Sequence, residues 1–186
     1  MLVEVLAVLS AAAAAGMRIG LPLLMVGVIQ GNSWESVPVL SIFPFSVVTV
    51  VLTSWSLVEL LGSKRFLGQR MIQLVQLIGS PFVGVLMAMT VLKNMNSSWQ
   101  LQWILAGLGG LLALFLTLVQ IGWFFRLQRL PLWFVFGEDI LCVILVVYAF
   151  EAPINGGLIA IMLLWLAVRS SSAWYRWQQE NPKDRG

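Results

Sequence analysis

The sequence predicts an all-α integral membrane protein with about six transmembrane helices. Of its 186 residues, 60% are hydrophobic and only 10% are charged, and the mean hydropathy is +0.93. A soluble core of this size cannot bury so much apolar surface, so lipid must cover the remainder. Because one span needs about 20 apolar residues, the chain can form six helices with short loops and leaves no room for a sizeable soluble domain.

The apolar segments give the predicted helices in chain order. They cover residues 2–29, 39–61, 70–92, 101–125, 132–150 and 154–174. Together they make residues 1–177 a single transmembrane domain, followed by a short polar tail over 178–186. The third segment is the weakest, because Gly79-Ser80-Pro81 can break a helix. Its alternative is an interfacial helix over 66–78 followed by a short re-entrant piece over 81–92.

The distribution of basic residues favours six spans and sets their orientation. One side of the predicted bundle carries nine of them: Lys64, Arg65, Arg70, Arg126, Arg129, Arg169, Arg176, Lys183 and Arg185. The other side carries Lys93 alone. Removing the third span would divide the basic loops between the two sides. By the positive-inside rule, we expect both termini to be cytoplasmic.

Arg18 is the residue around which the functional hypothesis is built. It lies near the middle of an apolar run that holds one other charge, Glu4. An arginine at the centre of a bilayer costs about 2.5–3.5 kcal/mol unless a partner, water or a cavity relieves it. Glu59, Glu138 and Asp139 are the acids within apolar segments that could do so.

Two interpretations of these four charges remain open. In the functional one, a single base faces three acids and leaves negative charge for a proton, a cation or an amine to neutralise. In the structural one, Arg18 pairs with one acid to fix the helix register, while Glu59 and Glu138 are partly hydrated near the ends of their spans.

Polar side chains at helical spacing mark two further helices. Ser46, Thr49, Thr53, Ser56 and Glu59 recur on the second segment, and Gln69, Gln73, Gln76 and Ser80 on the third. Such stripes line a hydrated path or make hydrogen bonds between helices. We therefore add Gln73 and Gln76 to the candidate substrate or ion pathway.

Small residues predict where helices pack closely. The packing candidates are Gly16, Gly20, Gly84, Gly110 and Gly156, because glycine allows two helix backbones to approach each other. On the first helix the glycines face one side, and Arg18 and Pro22 face roughly the other. A helix with packing requirements on both sides is expected at the centre of the bundle.

Two proline-containing segments suggest an internal repeat. Residues 80–88 and 152–160 share the pattern small-Pro-x-x-Gly-x-Leu-x-Ala. If the halves 1–93 and 94–177 each hold three spans, they form an inverted repeat in which Pro81 and Pro153 interrupt the third and sixth helices. Pro22 is the expected break in the first helix. Chance recurrence of short glycine-proline patterns in apolar helices is the alternative.

Several classes of function are disfavoured by what the sequence lacks. Histidine is absent and Cys142 is the single cysteine, so histidine-based zinc sites, Ser-His or Cys-His dyads and internal disulfides are excluded. We expect no enzymatic activity, no metal site and no cofactor. Because the basic residues lie in short loops, we expect no nucleic-acid partner. The expected partners are the lipid bilayer and either a second copy of the chain or a larger membrane complex.

Short motifs spread over nearly the whole chain carry a resemblance to a known family. They are Gly16-Met17-Arg18 with Leu21-Pro22, Val58-Glu59-Leu60, Pro81-x-x-Gly84, Gly109-Gly110, Glu138-Asp139 and Pro153. In these the chain resembles a bacterial family of uncharacterised membrane proteins that open with a Gly-Leu-Arg-Ala-Phe-Leu-Pro-like stretch. Here Ile19-Gly20 replaces Ala-Phe, and Ser80 stands where an arginine is expected before the proline.

The resemblance implies a small helical bundle in the bacterial inner membrane, without an established activity. The tryptophan-rich character is similar to cyanobacterial members, which leaves a thylakoid location open. From the residues we expect a small permease or transporter-like protein with an intramembrane charge cluster. The alternative is an accessory or assembly subunit of a larger, for example photosynthetic, membrane complex. A hydrated cavity reaching Arg18 would favour the first, and a sealed ion pair with glycine faces open to a partner would favour the second.

Overall fold

The described structure is entirely helical in its regular elements. The computed structural model describes residues 1–30, 37, 40–62, 66–126 and 132–180, with side chains for 1–30, 37, 40–59, 73–122 and 136–169. The helices are α1 Leu2–Met17, α2 Gly20–Ile29, α3 Phe45–Gly62, α4 Phe66–Asn94, α5 Trp99–Arg126, α6 Leu132–Glu151 and α7 Pro153–Glu180, with one short 3-10 turn at Leu40–Ile42. No strand occurs within these ranges. The all-α prediction is confirmed.

Helix α1 forms the centre of the bundle, as its sequence predicts. It packs against α4, α5, α6 and α7, and residues 11–15, all alanine, are at most 1% exposed. An alanine run projects nothing beyond Cβ, so four neighbouring helices can surround it at short distance. The larger apolar side chains of the surrounding helices face outward instead, among them Ile78, Phe82, Leu108 and Leu111.

The contacts of α1 with its neighbours fix the direction of each long helix. Near its start, Glu4 accepts a hydrogen bond of 2.6 Å from the Ser97 hydroxyl, between α4 and α5. Further along, Ser10 Oγ donates to Leu145 O at 2.7 Å, and Arg18 reaches Asp139 on the same antiparallel helix. The five long helices α1, α4, α5, α6 and α7 therefore alternate in direction.

This alternation changes the predicted topology. The segment 2–29 is not one helix but two, because α1 ends at Met17 and α2 begins at Gly20. An odd number of alternating long helices puts the start of α1 and the end of α7 at opposite ends of the bundle, contrary to the expectation that both termini lie on one side. Apart from Lys93 and Arg169, the basic side chains used for orientation lie outside the residues whose side chains are described.

Two described helical stretches are long and apolar enough to cross a membrane. They are Gln73–Asn94 on α4 and Trp99–Gly122 on α5. The other apolar stretches in the described ranges are shorter. Helix length and composition therefore do not establish six spans.

Helices α4 and α5 make the closest helix pair, and glycines allow it. A Cβ on Gly84 would lie 2.7 Å from Ala113 Cβ and 2.9 Å from the Gly109 carbonyl oxygen. A Cβ on Gly110 would lie 2.9 Å from the Pro81 carbonyl oxygen. These distances are below normal van der Waals contact, so the two backbones touch where the glycines lie.

The three prolines behave differently from one another. Pro81 lies inside α4, which runs without a break from Phe66 to Asn94, so the predicted interruption and the re-entrant alternative are both wrong. Pro153 is the first residue of α7, where a helix needs no proline N–H, so it interrupts nothing. The segments of the suggested repeat thus occupy the middle of one helix and the start of another. The repeat itself stays a prediction.

Candidate functional site

The central helix breaks at Arg18. This residue has an extended backbone, with φ −141° and ψ 146°, between α1 and α2. Pro22 accounts for the position of the break: it has no N–H to donate to the carbonyl of Arg18 four residues earlier, and its ring would clash with that carbonyl in a continuous helix. The predicted break at Pro22 is therefore found one turn before the proline. The extended residue places a charged side chain where two helix ends meet.

Arg18 forms a direct ion pair with α6. Its Nε donates to Asp139 Oδ1 at 2.7 Å, and the two side chains are only 8% and 14% exposed. Glu138 and Glu59 also lie within electrostatic range of the guanidinium. The structure thus brings together the four charges that the sequence singled out. We call Arg18, Glu59, Glu138 and Asp139 the charge cluster.

Glu59 approaches the break from α3 and binds the start of α2. It is 2% exposed, and its carboxylate accepts a hydrogen bond from the backbone N–H of Ile19. Gln76 Nε2 on α4 lies 3.4 Å from Glu59 Oε1. Because the N-terminus of a helix carries partial positive charge, a carboxylate there is stabilised as the anion. Glu59 is therefore held by α2 and α4 as well as by the field of Arg18.

The other side of the break exposes the last carbonyl groups of α1, and neighbouring helices satisfy them. Thr117 on α5 donates to Gly16 O at 2.8 Å. Gln76 Nε2 lies 3.5 Å from Met17 O, and Cys142 Sγ lies 3.5 Å from Ala14 O, which also accepts the Arg18 backbone N–H at 3.1 Å. Free helix-end carbonyls inside a bundle require such partners. The break is thus a built feature supported from α4, α5 and α6.

Buried polar atoms without hydrogen-bond partners gather around the same break. Within the described residues these are Glu138 Oε1, Asp139 Oδ2, Trp55 Nε1, Ser56 Oγ and Ser80 Oγ, with Thr49 Oγ1 further along α3. A Cβ on Gly20 would lie 2.7 Å from Ser56 Oγ, and one on Gly79, next to Ser80, would lie 2.7 Å from Ile19 Cδ1. Buried polar groups are rarely left unpaired, so this region is suited to a bound polar species.

Not every predicted pathway residue contacts the cluster. Gln76 does so through Glu59, whereas Gln73 lies about one turn earlier on α4 and is buried at 9% exposure. Gln69 lies outside the residues whose side chains are described. Among the described residues, no group of three acidic or thiol side chains is arranged to hold a metal ion.

Sequence reasoning missed the groups that hold the break in place. The Ile19 backbone N–H has no signal in the sequence, because its availability depends on the break itself. Thr117 had a partial signal, since it follows the small residues Gly110 and Ala113 on one face of α5.

Replacing Thr117 with Val should lower the free energy of unfolding by about 0.5–1.5 kcal/mol, because Gly16 O then loses its donor while the side-chain volume is kept. Thr53→Val is the matched control, since Thr53 is exposed and bonds only locally, to Thr49 O at 2.7 Å. The measurement is denaturant unfolding of the protein in mixed micelles. Equal losses in both variants would contradict a specific role for Thr117 at the break.

The fold and the site define a class of protein: a small helical bundle around a broken central helix that carries a buried ion pair. A family model described as a domain of unknown function (DUF4126) matches residues 5–173, and the chain therefore belongs to this family. This confirms the resemblance to an uncharacterised family. No curated protein and no solved structure matches the chain.

Proposed function

We propose that the protein is a small permease of the bacterial inner membrane, with the charge cluster at the polar centre of its transport path. The observation that carries this proposal is the gathering of one arginine and three acids, two of them partly exposed, at a break in the central helix. Ionisable residues inside membrane helices are expensive and commonly mark substrate or ion pathways. Broken helices near the middle of a bundle form substrate and ion sites in many transporters.

The outer surface of the bundle supports the membrane location. Large apolar side chains on the outward faces of α4 and α5 are well exposed, including Phe82 at 69% and Leu111 at 65%. Contiguous apolar surface of this kind is avoided by soluble monomers. In this proposal α1 and α4 to α7 cross the bilayer, and α2 and α3 enter it beside α6 and α4. The crossing number is then odd, with the termini on opposite sides.

In this proposal the Arg18–Asp139 ion pair corresponds to the closed form of the path. Its two side chains are nearly sealed, so access requires the pair to separate or the α2–α3 pair to move. Arg18 and Ile19 provide the hinge, because the backbone there is not held by a continuous helix ladder. The buried hydroxyl groups of Ser56 and Ser80, which have no partner, lie on the helices α3 and α4 that would frame such access.

Accessibility of Ser80 tests the permease proposal without knowledge of the substrate. In a Cys142→Ala background, Ser80→Cys should react with a membrane-impermeant thiol reagent added to one face of proteoliposomes. Thr90→Cys is the matched control, since Thr90 is also fully buried on α4 but lies away from the cluster and bonds locally to Leu86 O. Absence of reaction at Ser80 from either face, across pH and imposed voltage, would contradict a transport path.

One observation favours a second function, an accessory or assembly subunit of a larger membrane complex. The ion pair at Arg18 is direct and nearly sealed, as expected of a charge that fixes helix register. The packing glycines Gly16, Gly84 and Gly156, however, face other helices of the same chain and offer no face to a partner. Purification in mild detergent separates the two functions: a stable larger complex would favour the subunit, and a single species or homo-oligomer would favour the permease.

A further inference from the structure

We propose that the ion bound at the charge cluster is the proton, and that Glu138 is the residue that binds and releases it. This inference rests on the permease proposed above and names the ion that it carries. The proton exchanges between water and the Glu138 carboxylate, while Asp139 remains the partner of Arg18 and Glu59 remains bonded to the first turn of α2.

The charge cluster contains more acids than bases. Within the described residues, the groups facing Arg18 are Glu59 on α3 together with Glu138 and Asp139 on α6. On α4 and α5 the polar groups beside the break are the Gln76 amide, which contacts Glu59, and the Thr117 hydroxyl, which donates to Gly16 O, and both are neutral. Three ionised carboxylates against one guanidinium would leave two uncompensated charges, and each buried unpaired ion is expensive. At least one carboxyl group must therefore be neutralised.

Hydrogen-bond donors are distributed unevenly over the three acids. Asp139 Oδ1 accepts from Arg18 Nε at 2.7 Å, and Glu59 accepts from the Ile19 N–H at the positive end of α2. Glu138 Oε1 is buried without a donor in the described part of the chain. Donors stabilise a carboxylate as the anion. Asp139 Oδ2 also lacks a donor, but Glu138 is the one acid of the three that has no donor on either oxygen within the described residues.

The arrangement of the acids suits a proton better than a metal cation. The acids of the cluster are not arranged as a group that could hold a metal ion, as judged over the described residues. A proton needs only one carboxyl oxygen, and Glu138 Oε1 is such an oxygen. Glu138 is also partly exposed, whereas Glu59 is 2% exposed. Asp139 is also partly exposed but is bonded to Arg18, so exchange with water is easiest at Glu138.

Infrared spectroscopy of the detergent-purified protein tests the assignment directly. At neutral pH the wild type should show a protonated carboxyl band, which shifts in heavy water. The band should be lost in Glu138→Gln and kept in Glu151→Gln, a matched change at an exposed glutamate of the same helix. Absence of the band in the wild type, or its persistence in Glu138→Gln, would overturn the assignment. An absent band in the wild type would overturn the assignment even if the variant does not fold.

Proton flux gives a second and separable readout. In proteoliposomes with a pH-sensitive dye in the lumen, an imposed pH gradient should drive proton entry by the wild type and by Glu151→Gln. Glu138→Gln should fall to the level of protein-free vesicles. A carboxyl band without flux would retain the proton at Glu138 but reject the permease. Flux that follows a sodium gradient, with no protonated carboxyl band, would overturn the proton in favour of a metal cation.

Discussion

Replacing Arg18 with Gln should lower the free energy of unfolding by about 3–5 kcal/mol, because breaking a buried ion pair leaves the remaining charge uncompensated. The charge left behind is Asp139, whose side chain is 14% exposed and whose Oδ1 accepts the Arg18 Nε bond. We expect the variant to insert and fold but to show no transport. The measurement is denaturant unfolding in mixed micelles, beside flux in proteoliposomes.

The control for this prediction is Arg169→Gln, the same chemical change at an exposed arginine that lies 5.1 Å above the Trp165 ring. This change should lower the free energy of unfolding by less than about 1 kcal/mol. The double variant Arg18→Gln, Asp139→Asn should regain most of the stability lost by Arg18→Gln alone, because neither charge is then unpaired. A double variant as unstable as the sum of the single ones would show that the pair is not the source of the loss. Failure of both single variants to insert would favour the structural role over transport.

Replacing Gly110 with Leu should lower the free energy of unfolding by about 3 kcal/mol, since overpacking a tight contact forces side chains and backbone to shift. A Cβ at Gly110 would already lie 2.7 Å from Val85 Cγ2 and 2.9 Å from the Pro81 carbonyl oxygen. The backbone oxygen cannot move without displacing α4. The loss is measured by the same unfolding titration.

Gly107→Leu is the matched control on the same helix, three residues earlier. No atom lies within 4 Å of a Cβ built at Gly107, so the change should cause no loss and should raise stability by up to about 1 kcal/mol through helix propensity. Because both variants add the same side chain to α5, their difference isolates the contact with α4. Equal losses would show that the change acts through insertion rather than through that contact, because leucine is the better helix former and propensity alone would raise stability.

The charge cluster shows how far the sequence alone could lead. An arginine inside an apolar run predicts a buried acidic partner, because lipid offers no other relief. The sequence limited the candidates to Glu59, Glu138 and Asp139, and the structure brings all of them near the arginine. It could not choose among them, since the choice depends on how α6 and α3 lie beside the break. In the structure, Asp139 forms the direct bond to Arg18, and Glu59 binds the start of α2.

The prolines mark the limit of local rules. Each of Pro22, Pro81 and Pro153 was expected to break a helix, and only the first lies beside a break. A proline in a helix interior costs about 3 kcal/mol, an amount that favourable packing can offset. Pro81 lies where α4 packs against α5, with Gly110 against its carbonyl oxygen. Pro22 belongs to a short helix whose start is already held by Glu59, so the break there is stabilised rather than opposed.

Composition and spacing by themselves determined that the chain folds into apolar helices, that an alanine-rich helix occupies the centre, and that one arginine must find an acid. These properties follow from the cost of exposing backbone and charge to an apolar environment, which every segment carries with it. The tertiary structure decided which acid pairs with Arg18, where the first helix ends, and that the start of α1 and the end of α7 lie at opposite ends of the bundle. Those outcomes depend on contacts between residues far apart in the chain, such as Glu4 with Ser97 and Ser10 with Leu145. No local sequence pattern specifies which distant groups will meet.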